Sequence, residues 1–239
     1  MFVNSYTKRI DYYAFPRVGS HYLFHIFSGL YDLVLLDSAD FKTNEYLTRS
    51  KEINEIALYA LRLGDLNLPR SAPIFINPNP NGIHGKPKDF GHPIICLTRE
   101  PVASIYSLYR LKRDRFKEGI DDVGLWISEK FKEYFEFYKC ALSINEKSSS
   151  KFLFLKYEDI CRSWQQLSEI CDFIKESPKL DPKFVHYMTR FDNFVNDENR
   201  TFYREADNAK WRNDKEFVTN LCLNDYPNLP GLDYSKLTV

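Results

Sequence analysis

Ile10-Asp11-Tyr12-Tyr13-Ala14-Phe15-Pro16-Arg17-Val18-Gly19-Ser20-His21-Tyr22-Leu23 is the stretch from which the fold can be read. Residues 10–15 are β-branched and aromatic enough for a short buried strand, which Pro16 and Gly19 interrupt. Ser20 then stands where a helix cap would, ahead of Leu23, Ile26, Phe27 and Leu30 at helical spacing. Strand, glycine turn and helix in that order set unbonded backbone N–H groups and the positive end of a helix dipole at the turn. Phosphate and sulfate suit such a turn, and Arg17 adds a fixed positive charge. An ordinary strand-turn-helix unit has the same local pattern, so the turn alone does not separate a ligand loop from a plain connection.

Outward from this stretch, short apolar runs alternate with helical patterns. Residues 33–36, 73–76, 93–98 and 151–156 read as strands, the third of them, Pro93-Ile94-Ile95-Cys96-Leu97-Thr98, as a central parallel strand. Helical spacing marks residues 50–63, 101–113, 123–144 and 160–174, with Pro101 in a first turn. This alternation predicts an α/β fold, a central mostly parallel sheet flanked by helices on both faces. Beyond Pro182 the alternation gives way to a charged, aromatic, helical and loop C-terminal part. The loop at 77–87, dense in Asn, Pro and Gly, has the length and composition of a functional loop.

At 239 residues and 44% apolar composition the chain fits one domain, 1–239, with a substantial core. Thirty-three basic side chains balance 33 acidic ones, so no global field draws the chain to nucleic acid or an acidic membrane, and any anion site is local. Five scattered cysteines, Cys96, Cys140, Cys161, Cys171 and Cys222, lack zinc-ligand spacing and read as reduced thiols. No stretch reaches the roughly 18 apolar residues of a membrane span, and no signal-peptide pattern opens the chain. A cytoplasmic location is the expectation, and Asn199-Arg200-Thr201 is then a chance match to the glycosylation sequon.

Ligands of parallel sheets lie beyond the carboxyl ends of the strands. The turns at residues 16–22, at Arg99-Glu100-Pro101 and at Tyr157-Glu158-Asp159 all fall there, and Ser107 lies two helical turns beyond Arg99, so that one anion along that helix can touch both. Together these residues resemble the sulfotransferase family. That family has a P-loop NTPase-like fold and uses 3'-phosphoadenosine-5'-phosphosulfate. Its first motif, Pro-Lys-Ser-Gly-Thr-Thr-Trp, holds the 5'-phosphosulfate end and is matched by Pro16-Arg17-Val18-Gly19-Ser20-His21-Tyr22. The resemblance implies donor contacts from Arg17, Gly19, Ser20, His21 and Tyr22, with Arg17 replacing the family's Lys and His21 its second Thr.

The family's second motif is an apolar strand followed by Arg-Asn-Pro and a Ser eight positions after the Arg. Leu97-Thr98-Arg99-Glu100-Pro101 with Ser107 keeps Arg, Pro and that spacing, which implies that Arg99 and Ser107 bind the 3'-phosphate. The strand ending in Tyr-Glu-Asp is matched at Tyr157-Glu158-Asp159, and the resemblance places Tyr157 near the adenine. Thr189-Arg190-Phe191 resembles the Thr-Ser-Phe adenine contact. Phe202-Tyr203-Arg204-Glu205-Ala206, followed by Trp211, resembles Phe-Met-Arg-Lys-Gly and its Trp, which implies donor contacts from Tyr203 and Arg204. Glu205 and Ala206 replace the Lys and Gly of that stretch. The matches run in family order from about Tyr12 to Trp211.

The resemblance implies sulfuryl transfer to a hydroxyl, or less readily an amine, of a small-molecule or carbohydrate acceptor, without a metal and without nucleic acid as a partner. Arg17 serves as a catalytic charge, since an Arg does not release a proton near neutral pH. No Walker Lys-Ser/Thr follows Gly19, which speaks against ATP or GTP hydrolysis by a P-loop kinase. For the acceptor's base, carbohydrate-type members of the family place a Glu just after the second strand, where this chain offers Asp37 and Asp40, the favoured pair; His84 in the Asn-Pro loop is the substitute. A non-catalytic nucleotide-binding or scaffold protein on the same fold remains the alternative. His21, His25 and His92 read as structural or backbone-contributing positions. Acceptor identity and oligomeric state are not encoded in any motif of the chain.

Overall fold

The computed structural model describes residues 8–31, 33–35, 74–78, 86–190 and 210–221, in which five strands form one parallel sheet. The strands are β1 (Lys8–Ala14), β2 (Leu33–Leu35), β3 (Ile74–Pro78), β4 (Ile94–Thr98) and β5 (Phe152–Lys156), ordered β2-β3-β1-β4-β5. The first strand in sequence is therefore the central one. Its register sets Ile10 beside Ile76 on one side and Tyr12 beside Ile95 on the other. All five residues of β4 are buried, as its unbroken apolar run predicts, whereas Phe152, Leu153 and Phe154 of the outer strand β5 are half-buried.

The helices are α1 (Ser20–Leu30), α2 (Pro101–Arg110), α3 (Val123–Lys147), α4 (Tyr157–Arg162), α5 (Gln165–Ile174), α6 (Pro182–Met188) and α7 (Lys215–Thr219). β1 begins two residues before the expected strand and ends one before its expected end, and β3 runs through Asn77 and Pro78 into the expected loop. Four helix boundaries also depart from the sequence reading. The helix expected through residue 113 leaves α geometry at Arg110 and continues as a π-helical turn, Leu111–Phe116, which stops at the left-handed Lys117 (φ 55°). The helix expected to end at residue 144 runs on through Asn145, Glu146 and Lys147. The helix expected over 160–174 is two helices, because Ser163 is extended (φ −141°). The apolar spacing of Ile160, Leu167, Ile170 and Ile174, all buried, continues across that break and conceals it. Lastly, Tyr157 opens α4 directly, so Tyr-Glu-Asp is a first helical turn and not a connection. The helix expected over 50–63 and the residues at 36 and 73 lie outside the described residues.

The core lies on both sides of β1 and β4, where Ile10, Tyr12, Leu97, Ile105 and Phe131 are buried. Gly29 of α1 permits close packing on α6, since a Cβ there would stand 2.8 Å from Val185 Cγ1. The C-terminal piece packs on α2 through Phe217, whose ring lies 4.9 Å from Tyr106 and 5.5 Å from Tyr109, and on the π-helical turn through the Arg113–Asp214 ion pair at 3.1 Å. Among the described residues no helix is long and apolar enough to cross a membrane.

Candidate functional site

Beyond the carboxyl end of β1 the chain makes a turn with two left-handed residues, Arg17 (φ 69°) and Gly19 (φ 101°). For Arg17 this backbone costs roughly 1 kcal/mol, and the contacts around it hold the conformation. Its Nε donates to Ser107 Oγ at 3.2 Å, and its carbonyl accepts from Arg99 Nη1 at 3.1 Å. The preceding carbonyl, that of Pro16, accepts from Ser104 Oγ at 3.0 Å. Two successive loop carbonyls are thus engaged by donors. An anion loop requires this, because an open carbonyl would repel the ligand that the N–H groups attract.

Gly19, not Ser20, is the N-cap of α1, and no side chain caps that end. The expected Ser20 cap is corrected for a physical reason: the left-handed turn falls on the glycine, which leaves Ser20 as the first helical residue. Its Oγ accepts a hydrogen bond from the Tyr12 hydroxyl at 3.1 Å. His21 follows on the first turn of α1. Tyr22 is buried, edge-on to Tyr157 with ring centroids 5.9 Å apart. Burial pushes the Tyr22 phenol up, despite a hydrogen bond with Thr189, so it stays neutral. Thr189 is itself fully buried, and its Oγ1 donates to Val185 O at 2.9 Å.

Tyr157 is the wedge of the site. A Cβ on Gly19 would fall 2.3 Å from its Cδ2, and the Arg99 guanidinium lies 4.7 Å over its ring centroid. One ring therefore backs the loop and the cation beside it, at 4% exposure.

The carboxyl end of β4 is held from α3, where Tyr134 donates to Arg99 O at 2.5 Å and Tyr138 to Leu97 O at 2.7 Å. Glu100 caps α2 with its own side chain, accepting from Val102 N at 3.1 Å and Ala103 N at 2.6 Å. The first amides of α2 are accordingly occupied, and an anion near this helix meets the side chains of Arg99 and Ser107 instead. The Glu100 N–H donates to Glu158 Oε1 at 2.9 Å, so two carboxyl groups lie close together under the site.

Burial pushes the Glu100 carboxyl up to about 7, with the nearby Glu158 charge adding to the effect and the helix amides and Arg99 opposing it. A folded-state value above the unfolded one means that the folded chain holds more protons through the intervening range. Stability from this group is complete below about pH 4.5 and is lost as pH rises to about 7. The loss is about 3 kcal/mol. Thermal unfolding followed from pH 5 to 8 is expected to show a falling midpoint, and Glu100→Gln to flatten that slope. An unchanged slope in the variant would assign the titration to another group.

Of the residues singled out in the sequence, Arg17, Gly19, Ser20, Tyr22, Arg99, Ser107 and Tyr157 form one connected set, which His21 adjoins. Asp37, Asp40, His84, Phe191, Tyr203 and Arg204 lie outside the described residues, as do Glu205 and Ala206. Trp211 is buried, with Arg212 5.4 Å over its ring. His25 is buried and His92 half-buried. Sequence reasoning gave no role to Tyr12 and Glu158, though it quoted both, and missed Ser104 and the two α3 phenols. Ser104 alone had a local signal, since it shares a helix face with Ser107 three residues on.

No protein-family model and no curated protein matches the sequence. Solved structures match the fold. Mouse sulfotransferase SULT7A1, complexed with PAP, superposes with a TM-score of 0.55 at 15% identity, covering 91% of this chain and 84% of that one. Retinol dehydratase, solved with androsterone and the inactive cofactor PAP, gives 0.54 at 15% identity, covering 93% and 83%. The same protein with retinol and PAP gives 0.52 at 16% identity, covering 92% and 83%. The chain has the sulfotransferase fold.

Proposed function

We propose that this protein transfers a sulfuryl group from 3'-phosphoadenosine-5'-phosphosulfate to a hydroxyl or amine of a small-molecule or carbohydrate acceptor. The observation that carries the reading is the joining at one glycine loop of Arg17 with Arg99 and Ser107, which lie 82 and 90 residues further along the chain. The groups fit the donor. A guanidinium and a helix N-terminus stand at the loop, and a second guanidinium and a serine lie beside it.

In the transfer the bond from sulfur to the donor's 5'-phosphate oxygen breaks as the bond from sulfur to the acceptor oxygen forms, in line. The acceptor's proton passes to a base, and negative charge gathers on the leaving phosphate. Such reactions need positioning and charge stabilisation more than covalent help from the protein. Arg17 and the N–H groups of the loop face the leaving end, Arg99 and Ser107 hold the 3'-phosphate, and Arg204 with Tyr203 and Phe191 completes the donor site. Asp37 and Asp40 are the favoured bases, with His84 the substitute. The androsterone and retinol bound by the retinol dehydratase structures make a small apolar alcohol the first acceptor class to assay.

Calorimetry with 3',5'-adenosine bisphosphate tests the donor site. Binding is expected without magnesium and about tenfold or more tighter than AMP, since charge-assisted hydrogen bonds to the extra phosphate contribute about 1.5–3 kcal/mol each. Equal binding of AMP, or magnesium-dependent ATP turnover, would overturn the reading. Bisphosphate binding with no transfer across a broad panel of hydroxyl acceptors would favour the non-catalytic alternative.

A further inference from the structure

We infer that Tyr12 is a positioning residue for the donor's 5'-phosphosulfate, acting through Ser20. The inference deepens the sulfotransferase reading and rests on it. Tyr12 lies within the central strand, fully buried, its ring edge-on to Phe24 at 5.0 Å. A phenol is an expensive choice there unless its oxygen is paired, because an unpaired buried hydroxyl costs stability that a Phe would not. Its partner is Ser20 Oγ at 3.1 Å, and among the described residues the hydroxyl makes no other hydrogen bond.

The direction of that bond follows from chemistry. A phenol is the stronger acid of the two hydroxyls, and its oxygen lone pair is drawn into the ring, so the phenol donates and the serine oxygen accepts. Burial raises the Tyr12 phenol further above its ordinary value and keeps its proton in place. Ser20 Oγ is then held from the core side, and its own proton must point elsewhere. A helical serine commonly donates back to the carbonyl four residues earlier. Here that carbonyl, Pro16 O, accepts from Ser104 Oγ at 3.0 Å, and Ser20 donates to no other described residue. Its proton is left to the loop, beside the first amides of α1. Tyr12 thus turns Ser20 from a hydroxyl that can rotate into a fixed donor aimed at the anion.

The test compares two ligands by competition calorimetry. 3',5'-Adenosine bisphosphate reaches the loop with its 5'-phosphate, whereas adenosine 3'-phosphate does not. Tyr12→Phe keeps the ring packing, and is expected to weaken bisphosphate binding about three- to tenfold, the worth of one ordinary hydrogen bond. Adenosine 3'-phosphate binding is expected to stay unchanged, and Tyr12→Phe to add nothing in a Ser20→Ala background. Three results would each overturn the inference: bisphosphate affinity equal to wild type, equal weakening of both ligands, or full additivity with Ser20→Ala. Ser20→Ala alone must show the same ligand selectivity, which keeps the test decisive even where Tyr12→Phe does not fold. A wild-type protein that binds neither ligand overturns the functional reading, and this inference with it.

Discussion

If the protein transfers sulfuryl groups as proposed, Arg17→Ala is expected to lower kcat/KM by about 100- to 1,000-fold, the scale observed when one preorganised donor to developing charge is removed. The fold itself is expected to survive. What ties the loop to Arg99 is the Arg17 carbonyl, a backbone group that the substitution leaves in place, while the bond from Nε to Ser107 is lost. The thermal midpoint should therefore move by a few degrees while activity collapses. Arg17→Lys keeps the charge without the planar fork, so it cannot reproduce that Nε contact while presenting two further donors to an anion. It is expected to hold activity within about tenfold of wild type if charge is what matters. A Lys variant as inactive as the Ala variant would show that the fork, and not the charge, carries the function.

Gly19→Ala is expected to be the most damaging small substitution at the site. The left-handed backbone at φ 101° is unfavourable for any residue with a Cβ, and the new methyl would stand 2.3 Å from the Tyr157 ring. Backbone strain of about 1–2 kcal/mol and overpacking of about 1–3 kcal/mol together predict a loss near 3 kcal/mol. For a chain of this size that is a fall in thermal midpoint of about 6–12 °C. Tyr157→Ala in the same chain removes the clash but not the strain. The double variant should hence lose less than the two single losses combined. Simple additivity would show that the ring yields without cost.

What the sequence made legible was whatever repeats over short distances. The apolar run before Thr98 marked β4, Pro101 marked the start of α2, and the spacing of Arg99 and Ser107 put both on one side of that helix. Motif order put Arg17 and Ser107 at opposite ends of one ligand, and the direct hydrogen bond between them at 3.2 Å was not legible in it. What stayed hidden depends on packing between remote segments. Nothing near Gly19 announces that its empty side-chain position is filled by Tyr157, and nothing near Tyr12 announces Ser20. Ser20 looked like a cap because Ser is a good one, but the chain places the left-handed residue one position earlier. The break at Ser163 was invisible for the opposite reason, since the apolar spacing is the same on both sides of it.

The dependence of the loop on Tyr157 bears on when the site comes into being. Synthesis delivers Gly19 early, yet the ring that backs the turn is made much later, a delay of roughly ten seconds at about 5–20 residues per second. The central strand likewise waits for β3 and β4, its two neighbours in the sheet. Parallel pairings of this kind form slowly, because distant segments must meet before either gains a partner. A nascent chain halted before Tyr157 carries every residue of the loop and still has no backing for it. If the loop binds the donor as proposed, that binding reports completion of the fold, and an immobilised bisphosphate is expected to retain finished chains while letting shorter ones pass.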